Sequence, residues 1–292
     1  MQVHLITVPH HLGSERARVD TGPARLIAAG LDAALARSGH RVTVTNVHCE
    51  AVYSSEYAAI FEINRGLAGH VRAARAGGAF PVVLSGNCAT SLGAMACLDE
   101  DGGGVLYFDA HGDFNTPETS PSGMINGMPL AVAAGKCYPE IWRVIRSRPV
   151  PERNILLAGA RDLDGAERAA LEVSGVELLT PEIIGEKGLA RALDPPLARL
   201  AEQVHELYIH LDMDGADPAE APGVSTPAPG GFTLADIACI VRQAGKRFVI
   251  RCASIAEYDP VLDDGTTLRT ALDFVETLIE TAADTDAAER GA

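Results

Sequence analysis

Short apolar runs alternate with Ala-rich amphipathic stretches along the whole chain, and this alternation constrains the fold more than any other feature. The apolar runs are the candidate strands, at residues 3–8, 41–47, 81–84, 104–108, 154–158, 207–211 and 248–255. Strands separated by helical segments are typical of a mainly parallel sheet, because parallel neighbours need a crossover connection. No linker or shift in composition divides the 292 residues. We therefore predict one α/β domain over residues 1–281, followed by a small, charged tail over 282–292 that frays.

The chain is acidic, with 39 Asp and Glu against 24 Lys and Arg and a formal charge of −15. A nucleic-acid-binding protein needs a basic surface for phosphates, so the charge argues against that class. The first residues lack the pattern of a signal peptide, and no apolar stretch has the length of a membrane span. The six cysteines form no C-x-x-C pair, as expected for reduced, buried thiols. We expect a soluble cytoplasmic protein with no membrane or nucleic-acid partner.

Two Gly- and Pro-containing segments, 110–127 and 215–231, are too long for simple connections. Long loops inside a compact domain are usually functional. Each of these follows an apolar strand, and open α/β sheets bind their ligands at the carboxyl ends of the strands. We therefore predict the functional site at that edge of the sheet.

Side chains that can bind metals stand at the ends of two strands. Asp109, His111 and Asp113 follow one strand at positions i, i+2 and i+4, which points all three the same way in an extended chain. Asp212 and Asp214 follow another strand. Either motif alone suits a turn or a helix cap equally well, but four carboxylates buried together need cations to offset their repulsion. Oxygen ligands with one imidazole suit Mn²⁺ better than Zn²⁺ or Cu²⁺, so we predict a site for two Mn²⁺ ions.

The same motifs carry a family resemblance. Asp-Ala-His-x-Asp at 109–113 and Asp-x-Asp-x-x-Asp-Pro at 212–218 resemble the two signatures of the ureohydrolases, the arginase, agmatinase and formimidoylglutamase superfamily. The resemblance extends from the Gly-Pro pair at 22–23 to the segment 257–260. It implies a three-layer α/β/α fold and an amidinohydrolase whose dimanganese centre supplies the hydroxide that attacks a guanidino carbon.

The resemblance also implies a role for each ligand. Asp109 and Asp212 would bridge the two ions, His111 and Asp214 would complete one of them, and Asp113 would belong to the other. His111 and Asp113 would take part in catalysis as well.

At one metal position the chain departs from the family pattern. The superfamily's first metal motif, Gly-Gly-Asp-His or close to it, corresponds here to Ser-Gly-Asn-Cys at 85–88, so Cys88 replaces a histidine ligand. A thiolate is softer than an imidazole and suits Mn²⁺ poorly. We expect Cys88 to serve a metal position that is harder to load, with an inert buried thiol as the alternative.

The remaining matches predict an amino-acid substrate. By similarity to arginases, Asn115, Ser120 and Ser122 would bind the α-carboxylate, and Asp164 would face the α-amino group. Glu257 would receive the guanidinium and join the catalytic set. Without the resemblance, turn chemistry, helix capping or a solvated strand end would explain these residues as well.

A second departure is Asn126, predicted to lie against the substrate, which stands where arginases carry a proton-shuttling histidine. An amide cannot exchange a proton near neutral pH. An N-hydroxyguanidine is less basic than a guanidine and tolerates this loss. Together with Cys88, Asn126 makes the chain resemble the Nω-hydroxy-L-arginine hydrolases of D-cycloserine biosynthesis, an antibiotic pathway, whose products are hydroxyurea and L-ornithine.

Three hypotheses follow for the function. The first is a hydroxyarginine hydrolase, and the second is an ordinary arginase or related amidinohydrolase that releases urea. The third is a catalytically inactive binding protein of the same fold, against which the cost of keeping clustered acids argues. The sequence leaves the oligomeric state and the host pathway open.

Overall fold

The computed structural model describes residues 1–11, 18–48, 53–98 and 103–291, with side chains up to residue 286, so Cys49 lies outside the described residues. Eight strands form one sheet: β1 (Gln2–Val8), β2 (Arg41–Asn46), β3 (Ala79–Ser85), β4 (Gly104–Phe108), β5 (Ile155–Ala158), β6 (Glu177–Leu179), β7 (Glu206–Asp212) and β8 (Val249–Ala256). Their order is β2-β1-β3-β8-β7-β4-β5-β6, and all the pairs are parallel. The predicted α/β class and parallel sheet are confirmed. The sequence did not indicate β6, because three residues are too few to show a pattern.

Helices connect the strands and cover the sheet: α1 (Gly22–Ala28), α2 (Leu31–Arg37), α3 (Glu56–Ala76), α4 (Ser91–Ala94), α5 (Pro129–Ala133), α6 (Glu140–Ile145), α7 (Gly165–Glu172), α8 (Pro181–Lys187), α9 (Leu189–Ala201), α10 (Leu234–Gly245) and α11 (Thr266–Gly291). Gly30, at φ 88°, separates α1 from α2, because a left-handed backbone cannot continue an α-helix. In the described part of the chain, no helix combines the length and the apolar composition that crossing a bilayer requires.

The sheet lies between two apolar cores, which makes the fold three layers thick. Residues of β4 alternate between them: Leu106 and Phe108 pack with α1, α2, α9, α10 and α11, whereas Val105 and Tyr107 pack with α3, α5 and α6. Burial on both faces explains why the central strands read as continuous apolar runs. The three-layer arrangement that the family resemblance implies is confirmed.

The last helix continues past residue 281, where the sequence predicted the folded domain to end. Ala282 and Thr285 are buried, at 1% and 6% exposure. Helix α10 approaches closely at Gly245, where an added Cβ would lie 2.2 Å from Cγ2 of Thr281. Packing against α10 therefore extends the ordered structure into the segment predicted to fray.

Candidate metal centre

Four adjacent strands, β3, β8, β7 and β4, end at the same edge of the sheet. In register, Phe108 at the end of β4 pairs with Leu211 of β7, which pairs with Ile255 of β8. The chain segments that follow these strands therefore leave the sheet side by side. The buried residues Cys88, Asp109 and Glu257 lie in these segments, and Asp212 is the last residue of β7.

Three groups of side chains in the described residues offer ligand atoms within 4.8 Å of one another. They are Asp109, His111 and Asp214; Cys88, Asp109 and Asp113; and Cys88, Asp212 and Glu257. The structure thus brings all six predicted metal ligands together, with Glu257 beside them. The first two groups match the predicted division of ligands between two ions that share Asp109. Asp212, the other predicted bridge, groups with Cys88 and not with His111, so its bridging role stays a prediction.

Close backbone packing and backbone strain hold this cluster in place. A Cβ on Gly215, just after β7, would lie 2.9 Å from the backbone nitrogen of Asp109, so only glycine permits this approach of the two strand ends. Asp113 and Glu257 adopt left-handed backbones, with φ of 48° and 63°. Such conformations cost about 1–3 kcal/mol each and are typical of functional sites, where the surrounding structure enforces them.

His111 is held between two carboxylates. Its Nδ1 atom lies 3.3 Å from Asp109 Oδ1 and 3.2 Å from Asp214 Oδ2. Burial alone lowers the pKa of His111, but the hydrogen bonds and charges of both carboxylates outweigh it and raise this pKa to about 12. For Asp214, burial acts in the opposite direction and raises the pKa. The contacts of Asp214 with His111 outweigh burial, so the pKa of Asp214 is lowered overall. The Nδ1 atom therefore lies between two carboxylates that stabilise a positive charge on the ring.

The other carboxyl groups are costly to ionise where they lie. Burial, followed by the charge of Asp214, raises the pKa of Asp109 to about 6. Burial also raises the pKa of Glu257 to about 8 and those of Asp113 and Asp212 well above the ordinary range. Asp109 Oδ2 is buried and accepts no hydrogen bond from the described residues. A divalent cation would give this unpaired buried oxygen a partner, and the surrounding oxygen donors and imidazole are ligands that such a cation accepts. The residues therefore fit the predicted metals.

Cys88 lies inside this cluster and not in an apolar core. The side chain is 1% exposed, and Sγ donates a hydrogen bond to Asp212 Oδ2 at 2.8 Å. Burial, and then the charge of Asp212, raises the pKa of the thiol well above its ordinary value. The thiol therefore keeps its proton unless a cation replaces it, since only the thiolate binds metals. The position is that of a ligand, while ligation itself stays a prediction.

A cavity of about 300 Å³ opens above the cluster. All of the predicted site residues except Cys88 and Asp109 line it: His111, Asp113, Asn115, Ser120, Ser122, Asn126, Asp164, Asp212, Asp214 and Glu257. Asn115 Nδ2 donates to Asp164 Oδ2 at 3.1 Å, and Ser120 Oγ lies 3.4 Å from Ser122 Oγ. The residues predicted to bind the α-amino and α-carboxylate groups thus share one wall.

Asn126 also lines the cavity and contacts Glu257. Its Nδ2 atom donates to Glu257 Oε1 at 3.0 Å. Its Oδ1 atom is buried and accepts no hydrogen bond from the described residues. The carboxylate thereby fixes the amide group, whose oxygen remains a buried acceptor without a partner in the described part of the chain.

Several polar residues around the site escaped the sequence analysis. Tyr107 donates its hydroxyl hydrogen to Asp113 Oδ2 at 2.7 Å, and Thr226 donates to Asp214 Oδ2 at 3.1 Å. His210 has its Nε2 atom 3.2 Å from Cys88 Sγ. For Tyr107 and His210 the available signal was strand alternation, since a polar residue two positions before a strand-end ligand faces the same side of the sheet.

Comparison with known proteins agrees with this geometry. Residues 1–280 match the arginase family model. The arginase of Brevibacillus brevis is 33% identical over 280 residues, covering 92% of this chain and 94% of that protein. The arginase of Bacillus caldovelox is 32% identical over 275 residues, covering 90% and 92%. A crystal structure of arginase from Bacillus subtilis superposes with a TM-score of 0.87 at 32% identity, covering 95% of this chain and 98% of the other.

Proposed function

The chain belongs to the arginase family, and on that premise we propose that it cleaves Nω-hydroxy-L-arginine to hydroxyurea and L-ornithine. Family membership makes it a hydrolase of C–N bonds in guanidino or amidine groups, which argues against the hypothesis of an inactive binding protein. The hydroxylated substrate and its product go beyond the family, and so does a role in D-cycloserine biosynthesis, which stays a prediction.

The observation that carries the proposal is the fixed amide of Asn126. Its nitrogen is hydrogen-bonded to Glu257, the predicted partner of the guanidinium, its oxygen is a buried acceptor without a partner among the described residues, and the residue lines the cavity. An amide at this position accepts hydrogen bonds but cannot take up or release a proton. A substrate with an added N–OH donor and a less basic guanidine suits both properties.

The remaining cavity residues suit an α-amino acid. Asp164, with its partner Asn115, offers a carboxylate for the α-amino group. Ser120 and Ser122 offer hydroxyls for the α-carboxylate from the same wall. Glu257 lies beyond them, buried beside Asp212 and Cys88. Burial disfavours the ionised form of Glu257, so a cationic partner would stabilise that form most effectively.

We assign two Mn²⁺ ions to the cluster: Asp109, His111 and Asp214 would hold one, Cys88, Asp109 and Asp113 would hold the other, and Asp212 would contribute to both. When bound, such ions activate water for attack on an unreactive carbon near neutral pH. The chain's own contribution is to hold the guanidino group through Glu257 and to exclude bulk water from the buried floor.

Side-by-side kinetics test the substrate. We expect a higher kcat/KM on Nω-hydroxy-L-arginine than on L-arginine for protein supplied with Mn²⁺, with hydroxyurea as the product. A clear preference for L-arginine would refute the proposal.

A matched pair of variants tests the role of Asn126. Asn126→His restores an acid–base group, whereas Asn126→Gln enlarges the side chain but keeps an amide. General acid–base catalysis contributes about 10²–10⁴-fold, so we expect the His variant to gain at least about tenfold in kcat/KM on L-arginine. The Gln variant should gain nothing, and an equal gain in both would contradict the argument.

L-Arginine itself is the second candidate substrate. It is favoured by the names of the relatives, which are arginases, and by the α-amino-acid wall, which serves either substrate equally. The two candidates differ only at the N-hydroxyl, so the same assay separates them.

A further inference from the structure

A buried chain of hydrogen bonds lies behind Cys88. Tyr208, His210 and Ser254 are all fully buried. His210 Nε2 lies 3.2 Å from Cys88 Sγ, and its Nδ1 lies 2.6 Å from Ser254 Oγ. The Tyr208 hydroxyl is hydrogen-bonded in turn to Ser254 Oγ. Three polar side chains thus lead in a row to one sulfur atom.

The hydrogens in this chain have one satisfactory arrangement. The Nδ1 atom of His210 lies 2.6 Å from Ser254 Oγ and 3.3 Å from the Tyr208 hydroxyl oxygen, and a neutral imidazole carries one N–H. If Tyr208 donates to Ser254 and Ser254 donates to Nδ1, the ring hydrogen is on Nε2 and points at the sulfur. In the reverse direction, Nδ1–H donates to Ser254 and Ser254 donates to Tyr208. No described residue outside these three then accepts a hydrogen bond from the Tyr208 hydroxyl.

The ring is also held from its face. Tyr107 stacks on His210 with ring centroids 4.2 Å apart and an interplanar angle of 26°. The hydroxyl of Tyr107 is itself bonded to Asp113. His210 therefore cannot turn its Nε2–H away from Cys88 without disturbing a second residue of the ligand cluster.

We propose that His210 is a positioning residue for Cys88, whose Nε2–H donates a hydrogen bond to the sulfur when the thiolate serves as a metal ligand. The inference rests on the metal centre of the proposed function but not on the identity of the substrate. A buried thiolate keeps only lone pairs on its sulfur, so a fixed N–H donor stabilises it and aims it. The thiol proton, which Asp212 Oδ2 accepts in hydrogen bonding, leaves to solvent when the metal binds.

Two substitutions of His210 separate hydrogen bonding from packing. His210→Leu keeps most of the volume and removes the donor, whereas His210→Gln keeps an N–H at a similar distance along the side chain. The full chain is loaded with Co²⁺, whose thiolate charge-transfer absorption reports directly on a bound sulfur. Cys88→Ser identifies the band, since it should abolish it.

We expect His210→Leu to shift this band to lower energy and to weaken Co²⁺ at the Cys88 position by about 10–100-fold, as for other groups that orient a metal ligand. His210→Gln should stay near the parent protein in both measurements. A band and an affinity unchanged in His210→Leu would overturn the inference, and so would a Gln variant that behaves like Leu.

The Co²⁺ spectrum still tests the inference if a variant does not fold or if the substrate assignment is wrong. If His210→Leu does not fold by circular dichroism, the double variant Tyr208→Phe with Ser254→Ala replaces it, because it removes both hydroxyls near Nδ1 and so frees the ring hydrogen to move there. A smaller shift in the same direction then supports the inference, and no shift overturns it. Because the cobalt spectrum needs no turnover, a wrong substrate assignment leaves this result unaffected.

Discussion

Removing the hydroxyl group of Tyr107 should weaken metal binding without opening a cavity in the core. The residue is fully buried on β4 and donates to Asp113 Oδ2 at 2.7 Å. Tyr107→Phe removes this hydrogen bond and keeps the ring that stacks on His210. The perturbation therefore acts on one predicted ligand, Asp113.

The magnitude follows from the two protonation states of Asp113. Burial raises the pKa of this carboxyl well above its ordinary value, and the Tyr107 hydrogen bond counteracts part of the rise. A hydrogen bond contributes about 1.5–3 kcal/mol to an ionised group but only about 0.5–1.5 kcal/mol to a neutral one. Only the ionised form binds metal, so the variant should lose about 1.4 kcal/mol of Mn²⁺ binding, which is about tenfold in Kd. The pH of half-maximal binding should rise by about one unit.

Titration with Mn²⁺, followed by the electron paramagnetic resonance signal of the free ion, measures both effects. Tyr258→Phe is the matched control, because its hydroxyl donates to Asp263 Oδ2 at 3.0 Å, outside the ligand groups. Both variants should unfold at slightly lower temperature, but only Tyr107→Phe should bind Mn²⁺ more weakly. If its Kd stays within about twofold of the parent value, the link between Tyr107 and the metal centre is wrong.

Other changes have outcomes that follow from the same contacts. Gly215→Ala should lower the free energy of unfolding by about 1–3 kcal/mol through its clash with Asp109, whereas Gly69→Ala, with open space around it in α3, should raise it by about 0.5–1 kcal/mol, both measured by urea denaturation. After removal of metal with a chelator, the free energy of unfolding should decrease as the pH rises from 4.5 to about 8. The reason is that folding raises the pKa of Glu257, so the folded state binds this proton more tightly than the unfolded state does. A constant free energy of unfolding over this range would contradict the sign. Mn²⁺ should raise the melting temperature more at pH 8 than at pH 5, since its ligands must lose protons. Cys88→Ala should reduce the metal content from two ions towards one, and an unchanged content would exclude Cys88 as a ligand.

Much of the site could be predicted because its candidate ligands are adjacent to strong local patterns. Asp109, His111 and Asp113 come directly after an apolar run, and Asp212 and Asp214 follow another. Strand ends of a parallel sheet share one edge, so convergence follows from the element pattern without knowledge of the strand order. The substrate wall needed the family resemblance, since Ser120 and Ser122 carry no local signal beyond a turn.

Other features depended on contacts that no local pattern contains. The partners of Cys88 are 122 and 124 residues away in sequence, on β7. The extension of α11 past residue 281 likewise depends on its packing against α10.

The sequence by itself determined the class of fold, the parallel sheet and the candidate acidic ligands, because periodicity and strand-end residues are properties of short segments. Only the tertiary structure decided that β3, β8, β7 and β4 are neighbours, and with them that Cys88 meets Asp212 and His210. The physical reason is that local preferences select strands and helices, whereas strand order results from the packing of the whole chain. Cys88, which the sequence predicts as a metal ligand with an inert buried thiol as the alternative, lies in the folded protein among carboxylates and 3.2 Å from an imidazole nitrogen.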